Sequence, residues 1–341
     1  MTVTPTTVFV SGATGFIAQH IVKLLIDKGY NVVGTVRSSE KGENLKKLLN
    51  SNSFSYEIVK DVEPAGAFDE ALKNHPEVTV FLHTASPFHF KASDAEKELL
   101  KPAVNGTKNA LNAIKTYGPQ IKHVVVTSSY AAIMNLSKGN DPSHVDTEEL
   151  WNPITWEEAK LGPGPGYVGS KTFAEKAAWD FVKDEKPNFT INYINPVYVF
   201  GPQTFDSEVK DELNTSSEII NGLLNLGKDS DVPETAGSFV DVRDVAKAHL
   251  VAFEKNLSNQ RLLMTSSKFN GQDLLDVLNA RFESLKNKLP IGNPGSGKEA
   301  AKQTCQLDNS KTREILGFPL IDLETSVVDT VAQILKARGR K

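Results

Sequence analysis

Residues 7–37 read TVFVSGATGFIAQHIVKLLIDKGYNVVGTVR, and the division of that stretch decides the fold. Thr7–Val10 is a β-branched and aromatic run that ends in a glycine turn. From Phe16 the apolar residues recur at helical spacing, until Gly29 stops the helix. Asn31–Val36 is a second apolar run. Strand, glycine turn, helix and strand form one βαβ unit.

The turn carries Gly12, Gly15 and Ala18, a G-x-x-G-x-x-A spacing. Glycine there permits a tight turn and lets backbone N–H groups approach a pyrophosphate at a helix start, where the dipole favours an anion. The reading is a dinucleotide site. The alternative is an ordinary βα turn that contains glycine. A carboxylate at the end of the second strand would take a ribose 2′-hydroxyl. Here that place holds Arg37, with Lys41 close behind, and cations suit a 2′-phosphate. The expected cofactor is therefore NADPH, against the alternative of a solvated surface pair. Asp61 falls at the end of a third strand and is expected at the adenine.

The alternation continues through SYEIVKD, VTVFLHTAS, HVVVTSS and TINYINP, with helical stretches near 67–75 and 94–117. Near-continuous apolar strands separated by helices predict an α/β fold, a doubly wound parallel (Rossmann) sheet covered on both faces. Beyond Pro196 the pattern loosens into a smaller C-terminal α/β substrate lobe. The expected division is 1–196 for the dinucleotide-binding domain, with part of 230–260 returning to it, and 197–341 mainly for the substrate lobe. Within the latter, PIGNPGSGKEA reads as a loop.

Composition narrows the function class. The 341 residues carry a net charge of −4 and are 39% hydrophobic and 23% charged, as in ordinary globular proteins. Basic residues are scattered except in the terminal RGRK, so no nucleic-acid partner is expected. No apolar run reaches the ~20 residues of a membrane span, and the N-terminus lacks a signal pattern. One cysteine, Cys305, excludes an internal disulfide and fits a reducing, cytoplasmic setting. No metal site is read.

The second informative stretch is GPGPGYVGSKTFAEKAAWDFV, 162–182, a Pro/Gly-rich loop running into a helix that opens with Tyr167. Tyr167 and Lys171 lie four apart, hence on one helix face. A phenol beside an ammonium is an odd pair to set against a core, but it is a sensible one if the phenol must give up a proton. Tyrosine titrates at about 10, and reaching 7 takes roughly 4 kcal/mol, much of which one close cation in a low-dielectric cleft can supply. Ser128 and Ser129 follow a core strand, at the sheet edge where ligands sit. Tyr167 could donate a proton to a carbonyl oxygen as hydride reaches the carbon, with Ser129 bonded to the same oxygen. Alone, a serine there reads as a helix cap. Asn105, on the helix between the fourth and fifth strands, could hold a water behind Lys171, or merely make a local bond.

The segments SGATGFIA, HTAS, VNGTKN, TSSYAA, YVGSK, NPVYVFGP and FVDVRDVAKAHL, in that order along nearly the whole chain, resemble the extended short-chain dehydrogenase/reductases. More narrowly the chain is similar to the yeast NADPH-dependent methylglyoxal and isovaleraldehyde reductases and to plant dihydroflavonol and cinnamoyl-CoA reductases. The resemblance implies Ser129, Tyr167 and Lys171 as catalytic, with Asn105 as a possible fourth member. It implies Gly12, Ala13, Thr14, Gly15, Phe16 and Ile17 on the pyrophosphate, Arg37 and Lys41 on the 2′-phosphate, and Asp61 and Val62 at the adenine. Val199 would lie by the nicotinamide and Ser216 near the cofactor. Ala18 stands where many extended members carry a third glycine.

Three aromatics follow strand ends and are expected to wall the substrate pocket: Phe88, Tyr130 and Tyr198. Their alternative is packing between lobes. The expected activity is reduction of small aldehydes and ketones by a monomer or homodimer. Two rivals are weighed. A nucleotide-sugar epimerase or dehydratase would favour a carboxylate where Arg37 stands. A non-catalytic dinucleotide sensor could dispense with Tyr167 or Lys171, and both are present.

Overall fold

The computed structural model of the chain describes residues 6–86 and 92–339. It divides into two compact units. The first takes Met1–Asn135, Glu148–Asn195 and Ala246–Leu262, and the second takes Leu136–Thr147, Pro196–Val245 and Leu263–Lys341.

The first unit alternates β1 (Thr7–Ser11), α1 (Phe16–Asp27), β2 (Asn31–Val36), α2 (Ser39–Leu49), β3 (Phe54–Ile58), α3 (Asp69–Lys73), β4 (Val78–His83), α4 (Lys101–Tyr117), β5 (His123–Thr127), α5 (Pro163–Glu185) and β6 (Thr190–Pro196). After the helix α6 (Val242–Glu254), β7 (Gln260–Met264) adds a seventh strand beside β6, and the sheet order is β7-β6-β5-β4-β1-β2-β3. The pairings from β3 to β6 are all parallel. The order reverses between β1 and β4, the switch point at which such sheets open a crevice beyond their carboxyl ends.

Apolar β-strand residues are buried on both faces because helices cover both. Phe9 and Phe81 stack at 4.7 Å, and Phe68 meets Phe81 edge-on at 6.1 Å. Leu72, Leu111, Ile114, Val124, Ile191 and Tyr193 extend that core. Each such side chain contributes about 1.5–3 kcal/mol by leaving water.

Helix α5 starts earlier than the sequence pattern predicts. Its first residue is Pro163, so the expected loop Gly162–Gly166 is largely its first turn. Proline fits a first helical position, where its missing N–H has no partner to lose. The glycines serve close packing. A Cβ on Gly166 would stand 2.7 Å from the Cβ of Ala95 and 3.0 Å from Leu99, and one on Gly169 would stand 2.3 Å from the Cβ of Ala159. Gly166 and Gly169 thus let the segment bearing Tyr167 and Lys171 lie hard against the turns at 95–100 and 156–159. Gly169→Ala should cost about 1–3 kcal/mol, the usual range for overpacking. Thermal melting should show a drop of several degrees. An unchanged melting temperature would show that α5 can shift without cost.

The stretch 136–147 departs from the expected division. Val145–Asp146 pairs in parallel with Gln306–Leu307, and this pairing places the segment in the second unit. That unit also holds a three-stranded sheet, in which Ala236–Asp241 runs parallel to Tyr198–Phe200 and antiparallel to Ser267–Asn270. Phe200, Ile220, Phe239, Leu275, Leu278 and Val331 form its core. Within the FVDVRDVAKAHL segment, Arg243 grips both carboxylate oxygens of buried Asp241 at 2.8 Å and reaches Asp329 at 2.6 Å. The stretch expected as a loop at 290–300 runs into the short helix Gly297–Ala301. Among the described residues, no helix is long and apolar enough to cross a membrane, and no cluster of potential metal ligands occurs.

Candidate active site

The carboxyl ends of five neighbouring strands bring the expected residues of the first unit to one edge of the sheet. At the end of β1, Gly12 has φ +67°. A Cβ there would lie 3.1 Å from both Cα and Cβ of Ala85, so conformation and space both call for glycine. The Gly12 N–H donates to Thr35 Oγ1 and the Ala13 N–H to the Thr35 carbonyl, each at 2.9 Å, which fixes the loop on β2. Gly15 is exposed. Helix α1 starts after it with no side-chain cap and no acidic residue in its first turn. Thr14, Phe16 and Ile17 are partly buried around this start.

Those features fit a dinucleotide: uncapped N–H groups and the dipole of a 12-residue helix await an anion. Arg37 and Lys41 are both exposed, one just past β2 and one in the first turn of α2. Ser38 caps that helix and accepts from the Lys41 N–H at 3.4 Å. Two cations at a helix start, with Glu40 beside them, suit a phosphate far better than a ribose hydroxyl.

Beyond β3, the Asp61 carboxylate accepts its own loop's Glu63 N–H at 3.0 Å. Val62 packs where Gly106 of α4 leaves room, since a Cβ at Gly106 would meet Val62 Cγ2 at 2.9 Å. Asn109, which sequence reading passed over, pins this loop to α4 by donating to the carbonyls of Val62, Glu63 and Pro64. Asn105 on the same helix donates to Glu63 Oε1 at 3.4 Å. That bond ties α4 to the loop after β3.

The ends of β4 and β5 meet α5. The Tyr167 hydroxyl donates to Ser129 Oγ at 3.2 Å. Ser129 Oγ also accepts the Ala131 N–H at 3.1 Å, because the residue caps the single turn Tyr130–Ala132. Ser129 thus caps this turn and meets Tyr167 with the same oxygen. Tyr130 is partly buried in that turn. Lys171, one turn beyond Tyr167, is partly buried, and burial pulls its ammonium down to about 8 against the opposing pull of Glu175. Buried His83 bonds through Nδ1 with Ser11 Oγ at 3.0 Å. Burial and the Lys171 charge lower it to about 4, so it is neutral at physiological pH. Sequence reading missed His83 as well, because a histidine inside a strand carries no local mark.

Phe88 falls outside the described residues. Val199, Ser216 and Tyr198 belong to the second unit. Val199 is buried in its sheet and Ser216 is partly buried on the helix Thr215–Leu223. Tyr198 is 42% exposed and sets its ring edge-on to Phe269 at 5.7 Å.

Known proteins share this fold. The 3-beta hydroxysteroid dehydrogenase/isomerase family matches residues 9–273. An NADPH-dependent methylglyoxal reductase of Saccharomyces cerevisiae, GRE2, is 49% identical over 98% of this chain and 99% of its own length. The solved structure of Gre2 from Candida albicans in complex with NADPH is 55% identical, with a TM-score of 0.96 over 98% of this chain and 99% of that one. Yeast methylglyoxal/isovaleraldehyde reductase Gre2, also complexed with NADPH, is 48% identical with a TM-score of 0.96, covering 98% of this chain and 100% of that chain. The match thus runs over the whole length of these relatives, and the chain belongs to the extended short-chain dehydrogenase/reductases, within the 3-beta hydroxysteroid dehydrogenase/isomerase family.

Proposed function

We propose that this chain reduces aldehydes and ketones to alcohols with NADPH. The observation that carries the reading is the bond from the Tyr167 hydroxyl to Ser129 Oγ with Lys171 one helical turn behind, at the carboxyl edge of the sheet. The names of the full-length relatives support it.

The cofactor, when bound, supplies hydride to the carbonyl carbon. The glycine loop and the start of α1 hold its pyrophosphate, and Arg37 with Lys41 holds the 2′-phosphate. Ser129 has its oxygen engaged by the Ala131 N–H, so its own proton is free to turn to the substrate oxygen. Tyr167 donates the proton that completes the alcohol, which leaves a phenolate. Below about pH 8 Lys171 is an ammonium that stabilises that phenolate, and above it this support is lost. Neutral His83 adds no competing charge.

The test is NADPH oxidation against branched aldehydes, diketones, aryl ketones and pyruvate. Arg261, which reaches the Ala132 carbonyl, already spends its nitrogens on Glu175 and on backbone carbonyls, so it offers no clamp for a carboxylate. Neutral carbonyls should therefore surpass pyruvate in kcat/KM by about tenfold or more, the worth of one missing charged contact. Binding of NADPH with no turnover on any carbonyl would favour the sensor reading. Copurified NAD with no net NADPH consumption would favour the epimerase reading.

A further inference from the structure

Directly beneath Ser129 lies a buried polar cluster to which the proposed reaction gives no part. Glu175 follows Lys171 by one turn on α5 and its side chain is 1% exposed. Its Oε2 accepts the Ser128 hydroxyl and, at 2.8 Å, the Asn195 amide. Its Oε1 accepts Arg261 Nε at 2.6 Å. The same Asn195 nitrogen donates to the Ser129 carbonyl at 3.1 Å. The other nitrogens of Arg261 donate to the carbonyls of Glu148 at 2.9 Å, Leu150, and Ala132 at 3.2 Å, and the Trp151 ring covers the guanidinium at 4.1 Å.

Such a cluster is a poor way to gain stability. A buried ion pair is often matched or surpassed by apolar residues of similar volume. Asn195 also leaves its Oδ1 buried without a partner, so its amide is held by what its nitrogen does. What the cluster does achieve is geometric. It fastens the Ser128 side chain, the Ser129 carbonyl and the Ala132 carbonyl, which are the beginning and end of the turn that aims the Ser129 hydroxyl. All of these anchors run back to one carboxylate on the helix that carries Tyr167.

We propose that Glu175, clamped by Arg261, and Asn195 are positioning residues that lock the Ser128–Ala132 turn to α5 and so hold the Ser129 hydroxyl against Tyr167. The inference rests on the reductase reading. Glu175 has a second effect through charge. The ionisable groups that feel its charge are Lys171 on α5, Tyr193 from β6 and its partner Arg261 from β7, and Lys171 in turn faces His83 from β4. His83 is neutral, and burial with the Glu175 charge keeps Tyr193 protonated. Glu175 is the group that supports the Lys171 ammonium against burial. Without its charge the ammonium is lost at lower pH, so the alkaline fall of the rate moves down.

The test compares Asn195→Ala with a double variant, Glu175→Gln with Arg261→Met, which leaves no unpaired buried charge. Tyr167→Phe serves as a control. The readouts are kcat and KM for a neutral aldehyde, NADPH Kd by fluorescence quenching, the pH profile of kcat, and Tm. Asn195→Ala should lower kcat about 10-fold or more, the scale of one lost hydrogen bond to a charged group, with Kd within about twofold and the alkaline limb in place. The double variant should lose as much kcat and shift that limb to lower pH. If both fold and keep wild-type kcat and pH profile with only Tm reduced, the cluster is structural and the inference is overturned. If the double variant fails to fold, Asn195→Ala decides: an unchanged kcat rejects the proposal. Wild-type protein that oxidises no NADPH with any carbonyl would instead remove the reductase reading itself, whereas a fully active Tyr167→Phe would remove only Tyr167 as the proton donor.

Discussion

Tyr167→Phe is expected to lose about 10²–10⁴ in kcat, the usual contribution of a positioned general acid. It should keep NADPH affinity nearly intact, because only an oxygen atom goes and the ring stays packed at the start of α5. The bond to Ser129 at 3.2 Å disappears with it. Ser129 still has its Ala131 N–H, so the turn at the end of β5 should survive. Steady-state kinetics beside a cofactor titration separate the two effects. If the variant retains tens of per cent of kcat, another group delivers the proton. His83 would then be an unsuitable substitute, since burial already strips its proton down to about pH 4.

Arg37→Asp should reverse the cofactor preference. Arg37 is exposed beyond β2, ahead of the capped start of α2 and close to Lys41. Losing a charge-assisted bond to a phosphate costs about 1.5–3 kcal/mol, or roughly 10- to 100-fold, and the new carboxylate adds repulsion. The KM for NADPH should rise by at least that much, whereas the KM for NADH should stay level or fall, since a carboxylate can bond a ribose hydroxyl. Equal shifts for both cofactors would show that the 2′-phosphate is held elsewhere. Because Arg37 is a surface residue, the melting temperature should hardly move.

The parts of this fold that were legible from sequence are those set by short-range pattern. The βαβ unit at 7–37 declares itself through a strand, a glycine turn and a helix. The Tyr167–Lys171 pair declares itself through helical spacing. The start of α5 was hidden because proline and glycine usually mark loops, whereas Gly166 and Gly169 are there to admit Ala95 and Ala159. The pairing of Val145–Asp146 with Gln306–Leu307 joins residues some 160 positions apart, and no local pattern encodes it. Glu175 was invisible for a related reason. A glutamate in a helix reads as a solvated face, and only Arg261 and Asn195 from two strands, with Ser128 just past a third, make it a buried junction. Asn105 lies on the helix read for it, and its bond to Glu63 is of the kind that residue pattern alone leaves open.

The late arrival of β7 in the sheet has a consequence for synthesis. Strand β6 ends at Pro196, and its outer neighbour begins only at Gln260. Until then the Asn192 side chain lacks the Leu257 carbonyl to which it donates and the Gln260 N–H that it accepts. At ordinary elongation rates the nascent chain therefore spends several seconds with an apolar strand as an open sheet edge, a template for pairing with another chain. Substitutions that slow the stretch between them, or nascent chains cut short before Gln260, should tell less on the finished protein than on its yield.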